Sequence, residues 1–281
     1  MALLWEILQF VLRLGFGISL AMAITSPKHV TSGFFKVHLW VVMGLNVFGA
    51  LVTWTVSDEH LPTDTIRIAS QSTLLGLILG TSVLSYLGAV CWLYEKSGSG
   101  QIILTLLTLL TLATAYQSSV LPKDSQSTHH LSLLLDIVSS GLVVGSVITA
   151  MLLGHWYLNT PTMNLIPLRK LLWLCVIALL LRTCVSGTGT ALTLSNTDVT
   201  NTWWIFVSLR WISGIFVSLG LIYMTFMTLR VPNTQSATGI LYAATIVVFI
   251  GELTARVLAE NVLYPLSVSY THLTLPTNRE V

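Results

Sequence analysis

The chain has 281 residues, of which 54% are hydrophobic and only 9% are charged, and its mean hydropathy is +0.81. A soluble domain usually carries about a quarter charged residues, so this composition excludes a water-soluble protein. The formal net charge is +2, and the Lys and Arg residues are scattered singly with no basic stripe. This pattern excludes nucleic acid as a partner and predicts a lipid bilayer.

Eight apolar runs of membrane-spanning length follow one another along the chain. A bilayer core requires about 20 apolar residues per helix, and short polar connections such as 97–100 and 122–124 separate the runs. The sequence therefore predicts an all-α, polytopic helical bundle with one transmembrane domain over residues 1–266. The predicted spans are Leu3 to Ile24, Val37 to Val56, Thr73 to Tyr94, Ile102 to Leu121, Leu131 to Gly154, Leu171 to Leu192, Trp203 to Leu229 and Gly239 to Leu266.

The end of the chain differs in character from these spans. Val268 to Thr277 reads like the translation of a transposon-type sequencing adapter. We therefore expect residues 267–281 to be a non-native tail, and we assign no site to His272. The same interpretation predicts that the native chain continues differently beyond this point.

The distribution of Lys and Arg predicts the orientation, because cytoplasmic loops hold an excess of these residues. Connections after the odd-numbered spans carry most of them, whereas those after the even-numbered spans hold only Arg67 and Lys123. We therefore expect a multi-pass protein with its N-terminus outside. The alternative, a signal peptide cleaved near residues 21–23, is disfavoured because Glu6 and Arg13 interrupt the first run.

Small residues at four-residue spacing predict close helix packing in two of the spans. Gly76 and Gly80 form such a pair in the third span, and Gly141, Gly145 and Gly154 belong to a longer series in the fifth. Small side chains allow helix backbones to approach each other in a membrane. The expected role is packing of the bundle.

Ionisable residues at membrane depth are the strongest functional signal, because each is costly unless paired, hydrated or able to reach the interface. Those near mid-span or in the outer part of a span are Arg13, Asp136, Arg182, Arg210, Glu252 and Arg256. Four arginines thus accompany two acids. We expect Arg182, Arg210, Glu252 and Arg256 to line one outward-facing polar cavity between helices five to eight, with Asp136 in the same layer.

Three interpretations of these residues remain open. In the first, Glu252 clamps helices together by pairing with one arginine, while Arg13 reaches the interface or meets a lipid phosphate. In the second, Arg182, Arg210, Arg256 and Asp136 bind a quinone or an anionic ligand, and Glu252 acts as the catalytic proton acceptor. The third is conduction of ions or protons.

Two histidines are candidates for haem ligands. His38 and His155 stand at the cytoplasmic ends of the second and fifth spans, and neutral imidazoles at equal depth can ligate the iron of a haem b. Each also precedes aromatic residues, so both fit an interfacial aromatic belt.

Motifs of hydrolytic and nucleotide-driven enzymes are absent from the sequence. It contains no H-E-x-x-H, no G-x-S-x-G and no phosphate-binding G-x-x-x-x-G-K-[ST]. Proline is absent from the middle of every predicted span, which disfavours a transporter with broken helices, although Gly214 and other glycines keep that alternative open. Whether the chain is an enzyme stays undecided.

The segment Gly251-Glu252-Leu253-Thr254-Ala255-Arg256-Val257-Leu258, followed by Tyr264, resembles the closing helix of the DMSO reductase anchor and polysulfide reductase membrane subunits. The resemblance implies an eight-helix protein without obligatory haem that passes electrons between quinone and an iron-sulfur or cytochrome partner subunit. Residues 154–163 and 232–239 resemble signature strings of an uncharacterised bacterial membrane family. This resemblance implies a position in the bacterial inner membrane and no activity. The alternatives are a permease for a small anionic solute and a non-catalytic assembly protein.

Overall fold

A computed structural model describes residues 2–56, 65–122, 127–160, 163–196, 200–231 and 233–261. It contains eight helices that are long and apolar enough to cross a membrane, which confirms the predicted all-α bundle. The elements are α1 (Ala2–Ile24), α2 (Ser32–Thr55), β1 (Thr65–Arg67), α3 (Gln71–Leu93), α4 (Ser97–Gln117), β2 (Val120–Pro122), α5 (Ser127–Asn159), α6 (Ile166–Asn196), α7 (Asn201–Trp211), a π-helical segment (Ile212–Val217), α8 (Ser218–Thr228) and α9 (Thr234–Asn261). The predicted tail 267–281, Lys123 and Tyr264 lie outside the described residues.

Several helices extend beyond the predicted apolar runs. The helix α5 has 33 residues, which corresponds to a length of about 50 Å and exceeds the bilayer core. Residues with hydroxyl side chains are the N-caps of two other helices. Ser70 accepts a hydrogen bond from the backbone N–H of Thr73 at the start of α3, and Thr200 caps α7 in the same way. Such capping explains why polar residues belong to the helix ends.

The helices pack as two rings of four. In the first ring α1 contacts α2, α2 contacts α3, α3 contacts α4, and α4 returns to α1. In the second ring α5 contacts α6, α6 contacts α8, α8 contacts α9, and α9 returns to α5. The contact of α1 with α5 joins the rings, so that α1 and α5 form the centre of the molecule.

Glycines allow α1 and α5 to cross with their backbones in contact. A Cβ atom at Gly17 would lie 1.8 Å from the carbonyl oxygen of Gly141, and one at Gly145 would lie 2.3 Å from the Cα atom of Gly17. The contacts advance together along both helices, so α1 and α5 run parallel. This crossing confirms the predicted packing role of the small residues in the fifth span.

The small residues of the third span have a different environment. A Cβ atom at Gly76 would meet nothing within 4 Å, and one at Gly80 would be 3.9 Å from Leu110. The prediction of close backbone packing at this pair was wrong, because spacing alone does not say which face of a helix meets a neighbour.

Strands β1 and β2 pair in antiparallel fashion and join the connection after α2 to the connection after α4. We call this end of the bundle the ribbon end; α1 and α5 both begin there. Large apolar side chains are exposed around the spans, among them Leu51, Trp54, Ile205, Phe216 and Tyr223. This apolar surface suits a bilayer, and the chain is a multi-pass membrane protein.

Candidate functional site

The arginine cluster is the group of buried ionisable side chains in the half of the bundle nearer the ribbon end. Its members come from five helices, namely α1, α5, α6, α7 and α9. They are Arg13, Asp136, Arg182, Arg210, Glu252 and Arg256, and each is at most 7% exposed. Sequence reasoning predicted all six as intramembrane residues, and the structure brings them into one network.

Asp136 contacts three arginines from three helices. Its Oδ2 atom accepts hydrogen bonds from Arg13 Nη1 at 2.6 Å and from Arg256 Nη2 at 2.8 Å, and its Oδ1 atom accepts one from Arg182 Nη1 at 2.6 Å. Both carboxylate oxygens are therefore held by charge-assisted hydrogen bonds, which are shorter and stronger than neutral ones. Asp136 thereby connects α1, α6 and α9 to α5.

Glu252 is held by two arginines and one serine. Arg182 binds it with two N–H groups, Nε to Oε1 at 3.0 Å and Nη2 to Oε2 at 2.8 Å. Arg210 Nη2 lies 2.8 Å from Oε1, and the Ser140 hydroxyl donates to Oε2 at 2.9 Å. Because Arg182 also reaches Asp136, its guanidinium bridges the two acids of the cluster.

The cluster ends at α1, near the ribbon end. Arg256 Nη1 donates to Gln9 Oε1 at 2.8 Å and lies 3.7 Å from Glu6 Oε2. The Glu6 side chain is 21% exposed, in contrast to the buried acids. One residue earlier in the chain, the Trp5 ring lies under the Arg67 guanidinium of β1, 4.1 Å from the ring centroid.

Two glycines make room for Arg210. A Cβ atom at Gly214, in the π-helical segment, would lie 2.0 Å from Arg210 Nη1, and one at Gly251 of α9 would lie 2.3 Å from the Cα atom of Gly214. The backbones of the seventh and eighth spans therefore touch beside the guanidinium. A π-helical turn is rare and often lies at functional sites.

The structure adds three findings about this region to what the sequence predicts. Arg13 is 3% exposed and binds Asp136, so it does not extend to the interface. Glu252 and Arg256, spaced for pairing along one helix, instead contact different partners on other helices. The predicted site between helices five to eight also includes α1, and its side chains contact one another directly.

Sequence reasoning missed the polar residues that complete the network. Glu6 and Gln9 precede Arg13 by seven and four positions, which places all three on one face of α1. Ser140 likewise follows Asp136 by four positions on α5. Polar residues at helical spacing from an intramembrane charge were the signal that could have identified them.

The two histidines proposed for haem have different neighbours. His38 is buried; its Nδ1 atom lies 2.5 Å from the Phe34 carbonyl oxygen, and its ring packs near Phe34 and Trp156. His155 is exposed and lies 3.3 Å from the Tyr242 hydroxyl. The imidazoles therefore face different partners, and ligation of a haem by this pair stays a prediction.

The electrostatic character of the cluster follows from its composition. Among the described residues, four guanidinium groups directly contact two carboxylates, and Glu6 is a third carboxylate at 3.7 Å. The cluster thus carries at least one excess positive charge inside the bundle. An anion or a ligand with several hydrogen-bond acceptors would be stabilised there.

Comparisons with protein-family models, with curated proteins and with solved structures found no match.

Proposed function

We propose that this chain is the membrane subunit of a quinone-linked redox complex, in which the arginine cluster binds the quinone or quinol headgroup. The observation that carries the proposal is the excess of buried guanidinium groups over carboxylates. The two oxygen atoms of such a headgroup would accept hydrogen bonds from these donors. The resemblance at residues 251–258 supports the same function, because Glu252 and Arg256 both belong to the cluster.

The contacts favour distinct roles for the residues. Arg182, Arg210 and Arg256 are the candidate headgroup donors, and Asp136 and Glu252 hold them in place. Glu252 was predicted as the proton acceptor. Both of its oxygens already accept hydrogen bonds, so it would accept a proton only after releasing one of these partners. We therefore assign Glu252 primarily the role of positioning the arginines.

The proposal includes a partner and an orientation. Electrons that leave a quinol must reach a second redox group, for which an iron-sulfur or cytochrome partner subunit is the candidate. The resemblance supports a position in the bacterial inner membrane. The positive-inside rule supports an orientation with the ribbon end outside, which would place the cluster in the outer half of the bilayer.

Analysis of the bound cofactors tests the function directly. The protein is purified from membranes, extracted with organic solvent to release quinone, and examined by a reduced-minus-oxidised absorbance spectrum. We expect stoichiometric quinone in the extract. A haem spectrum would favour His38 and His155 instead, and an extract without quinone would contradict the proposal.

A pair of glycine variants links the quinone to the cluster. In Gly214→Ala the new Cβ atom would take the position of Arg210 Nη1 and move the guanidinium away from Glu252. We expect at least a tenfold weaker binding of quinone, about 1.4 kcal/mol. Gly220→Ala is the control, because a Cβ atom there would meet nothing within 4 Å. Equal quinone binding in the two variants would show that Arg210 does not contribute to the quinone site.

Transport of a small anionic solute is the second candidate. It is favoured by the π-helical segment Ile212–Val217, which interrupts the seventh span beside Arg210, since interrupted helices often form substrate sites in transporters. Uptake of a radiolabelled anion into proteoliposomes, with no quinone in the extract, would favour transport. The absence of both quinone in the extract and anion uptake would favour a non-catalytic assembly protein.

A further inference from the structure

Cationic side chains converge at the end of the bundle opposite the ribbon end, which we call the far end. The helix α6 begins there and α8 ends there. Arg169 Nη2 donates a hydrogen bond to the Leu229 carbonyl oxygen at 3.2 Å and so joins the two helices. Lys170 and Arg230 follow these two residues in the chain and are exposed. Two separate parts of the chain therefore bring three cations to one region of the surface.

Carboxylates are missing from this region. Among the described residues, none of the three cations forms an ion pair. The sequence contains no Asp or Glu between Asp136 and Asp198, and none between Asp198 and Glu252. Asp136 and Glu252 belong to the arginine cluster in the other half of the bundle. Glu95, the one described acid at the far end, lies between α3 and α4 of the first ring. The positive charge is thus not balanced by the second ring.

Two apolar helix faces continue from these cations toward the middle of the bilayer. Trp173 follows Arg169 by four positions on the same face of α6. Tyr223 and Phe226 share a face of α8, and Arg230 lies just beyond the end of that helix. The rings of Trp173 and Phe226 are 5.3 Å apart, so the two faces adjoin. Trp173 and Tyr223 are both more than half exposed. We call this surface, with its three cations, the α6–α8 seam.

We propose that the α6–α8 seam binds one anionic phospholipid of the surrounding bilayer. Its phosphate accepts hydrogen bonds from Arg169, which retains several N–H donors beyond its contact with Leu229. Lys170 and Arg230 add positive charge beside the phosphate, and an acyl chain covers Trp173. Basic sites between membrane-spanning helices suit anionic headgroups. The inference is independent of the proposed quinone function, because it concerns other residues in the other half of the bundle.

The positive-inside rule alone requires an excess of cations at the far end but no particular arrangement of them. Lys28 and Lys96 of the first ring contribute to that excess as much as Arg169 and Arg230 do. A lipid site, in contrast, depends on the cations that lie above the paired apolar faces. The two explanations therefore differ in which cations affect lipid binding.

Native mass spectrometry of the full chain in detergent tests the site. Delipidated protein is titrated with dioleoyl phosphatidylglycerol, which is anionic, or with dioleoyl phosphatidylcholine, which has no net charge. We expect wild type to bind one phosphatidylglycerol about tenfold more tightly than phosphatidylcholine. Arg169→Gln/Arg230→Gln should lose this preference, and Arg169→Lys/Arg230→Lys should keep most of it because the charges remain.

Lys28→Gln/Lys96→Gln is the matched control, because it removes two exposed cations from the far end of the first ring. An equal loss of preference in the two Gln double variants would overturn a defined site in favour of diffuse attraction. Equal affinity of wild type for the two lipids would also overturn the proposal. Arg230→Gln alone leaves the contact of Arg169 with Leu229 intact, so weaker phosphatidylglycerol binding in this variant does not come from a disturbed helix contact.

Two further measurements separate a lipid from a free phosphate anion. Trp173→Ala should weaken phosphatidylglycerol binding, whereas Trp204→Ala, which removes an exposed indole at the ribbon end, should not. Equal effects of the two variants would argue against an acyl chain on the seam. Soluble glycerol phosphate has the same anionic group without acyl chains and should not displace the lipid. Displacement at equal concentration would show a site for free phosphate and overturn the assignment to a lipid.

Discussion

At the scale of single residues, Arg182 is the centre of the cluster, because its one guanidinium contacts both buried acids. It is fully buried, and it donates to Asp136, to Ser139 and twice to Glu252. Burying charges costs several kcal/mol for each ion, and only good geometry offsets that cost. The intact network therefore contributes little net stability, whereas the loss of any one partner is strongly destabilising.

Replacement of this guanidinium should be strongly destabilising. In Arg182→Gln the carboxylates would lose three ion-pair hydrogen bonds inside the bundle, at a cost of about 3–5 kcal/mol. Thermal unfolding in detergent, followed by the reaction of the buried Cys175 thiol with a fluorogenic maleimide, measures the effect. The exposed Arg230→Gln is the control, and equal melting temperatures in the two variants would show that the cluster contributes nothing to stability.

The identity of the cluster residues could be predicted from the sequence, but their pairing could not. An arginine or acid inside an apolar span is visible in the sequence, and the physical cost of burying it predicts a partner. The choice of partner depends on the rotation and depth of each helix against its neighbours. Glu252 and Arg256 are spaced to pair along one helix, yet α9 directs Glu252 toward α6 and α7 and Arg256 toward α1 and α5.

At the scale of elements, the crossing of α1 and α5 fixes the position of the cluster. Arg13 reaches Asp136 one turn before the point where Gly17 meets Gly141 and Gly145. Without hydrophobic driving force between helices, close van der Waals packing of this kind is a main source of association in membranes.

Two neighbouring glycines of α1 provide a matched test of the crossing. Gly17→Ala would place a Cβ atom 1.8 Å from the carbonyl oxygen of Gly141, so the backbones must separate. Gly15→Ala meets nothing within 4 Å and should be neutral or stabilising by up to about 1 kcal/mol, the difference in helix propensity. We expect Gly17→Ala to lower the melting temperature in detergent and Gly15→Ala to maintain it; the reverse order would argue against the crossing.

The sequence predicts the spans well because hydropathy and polar connections determine them locally. It does not predict the π-helical segment Ile212–Val217. That distortion lies where Gly214, Gly251 and the Arg210 guanidinium share one space, a condition set by three parts of the chain on two spans. Local patterns contain no information about such a contact.

At the scale of the whole molecule, the arginine cluster lies at the junction of the two four-helix rings. Each ring consists of four consecutive spans. Short connections favour this arrangement, because they place consecutive helices side by side as antiparallel neighbours. The sequence halves show no motif alignment that predicts this arrangement. α1 of the first ring, α5, α6 and α9 of the second ring, and α7, which belongs to the same span as α8, supply the charged side chains. The network therefore holds the rings together, and any relative motion of the rings would change its contacts.

The orientation of the molecule is open to a direct test by labelling of introduced cysteines. The native cysteines Cys91, Cys175 and Cys184 all lie within spans, so a charged maleimide that cannot cross membranes should leave them unmodified in intact cells. The excess of Lys and Arg predicts that Arg169→Cys faces the cytoplasm and that Asn201→Cys, at the ribbon end, faces outside. We therefore expect labelling of Asn201→Cys in intact cells and labelling of Arg169→Cys only after the membrane is permeabilised. The opposite result would invert the molecule and place the ribbon end, with the arginine cluster near it, on the cytoplasmic side.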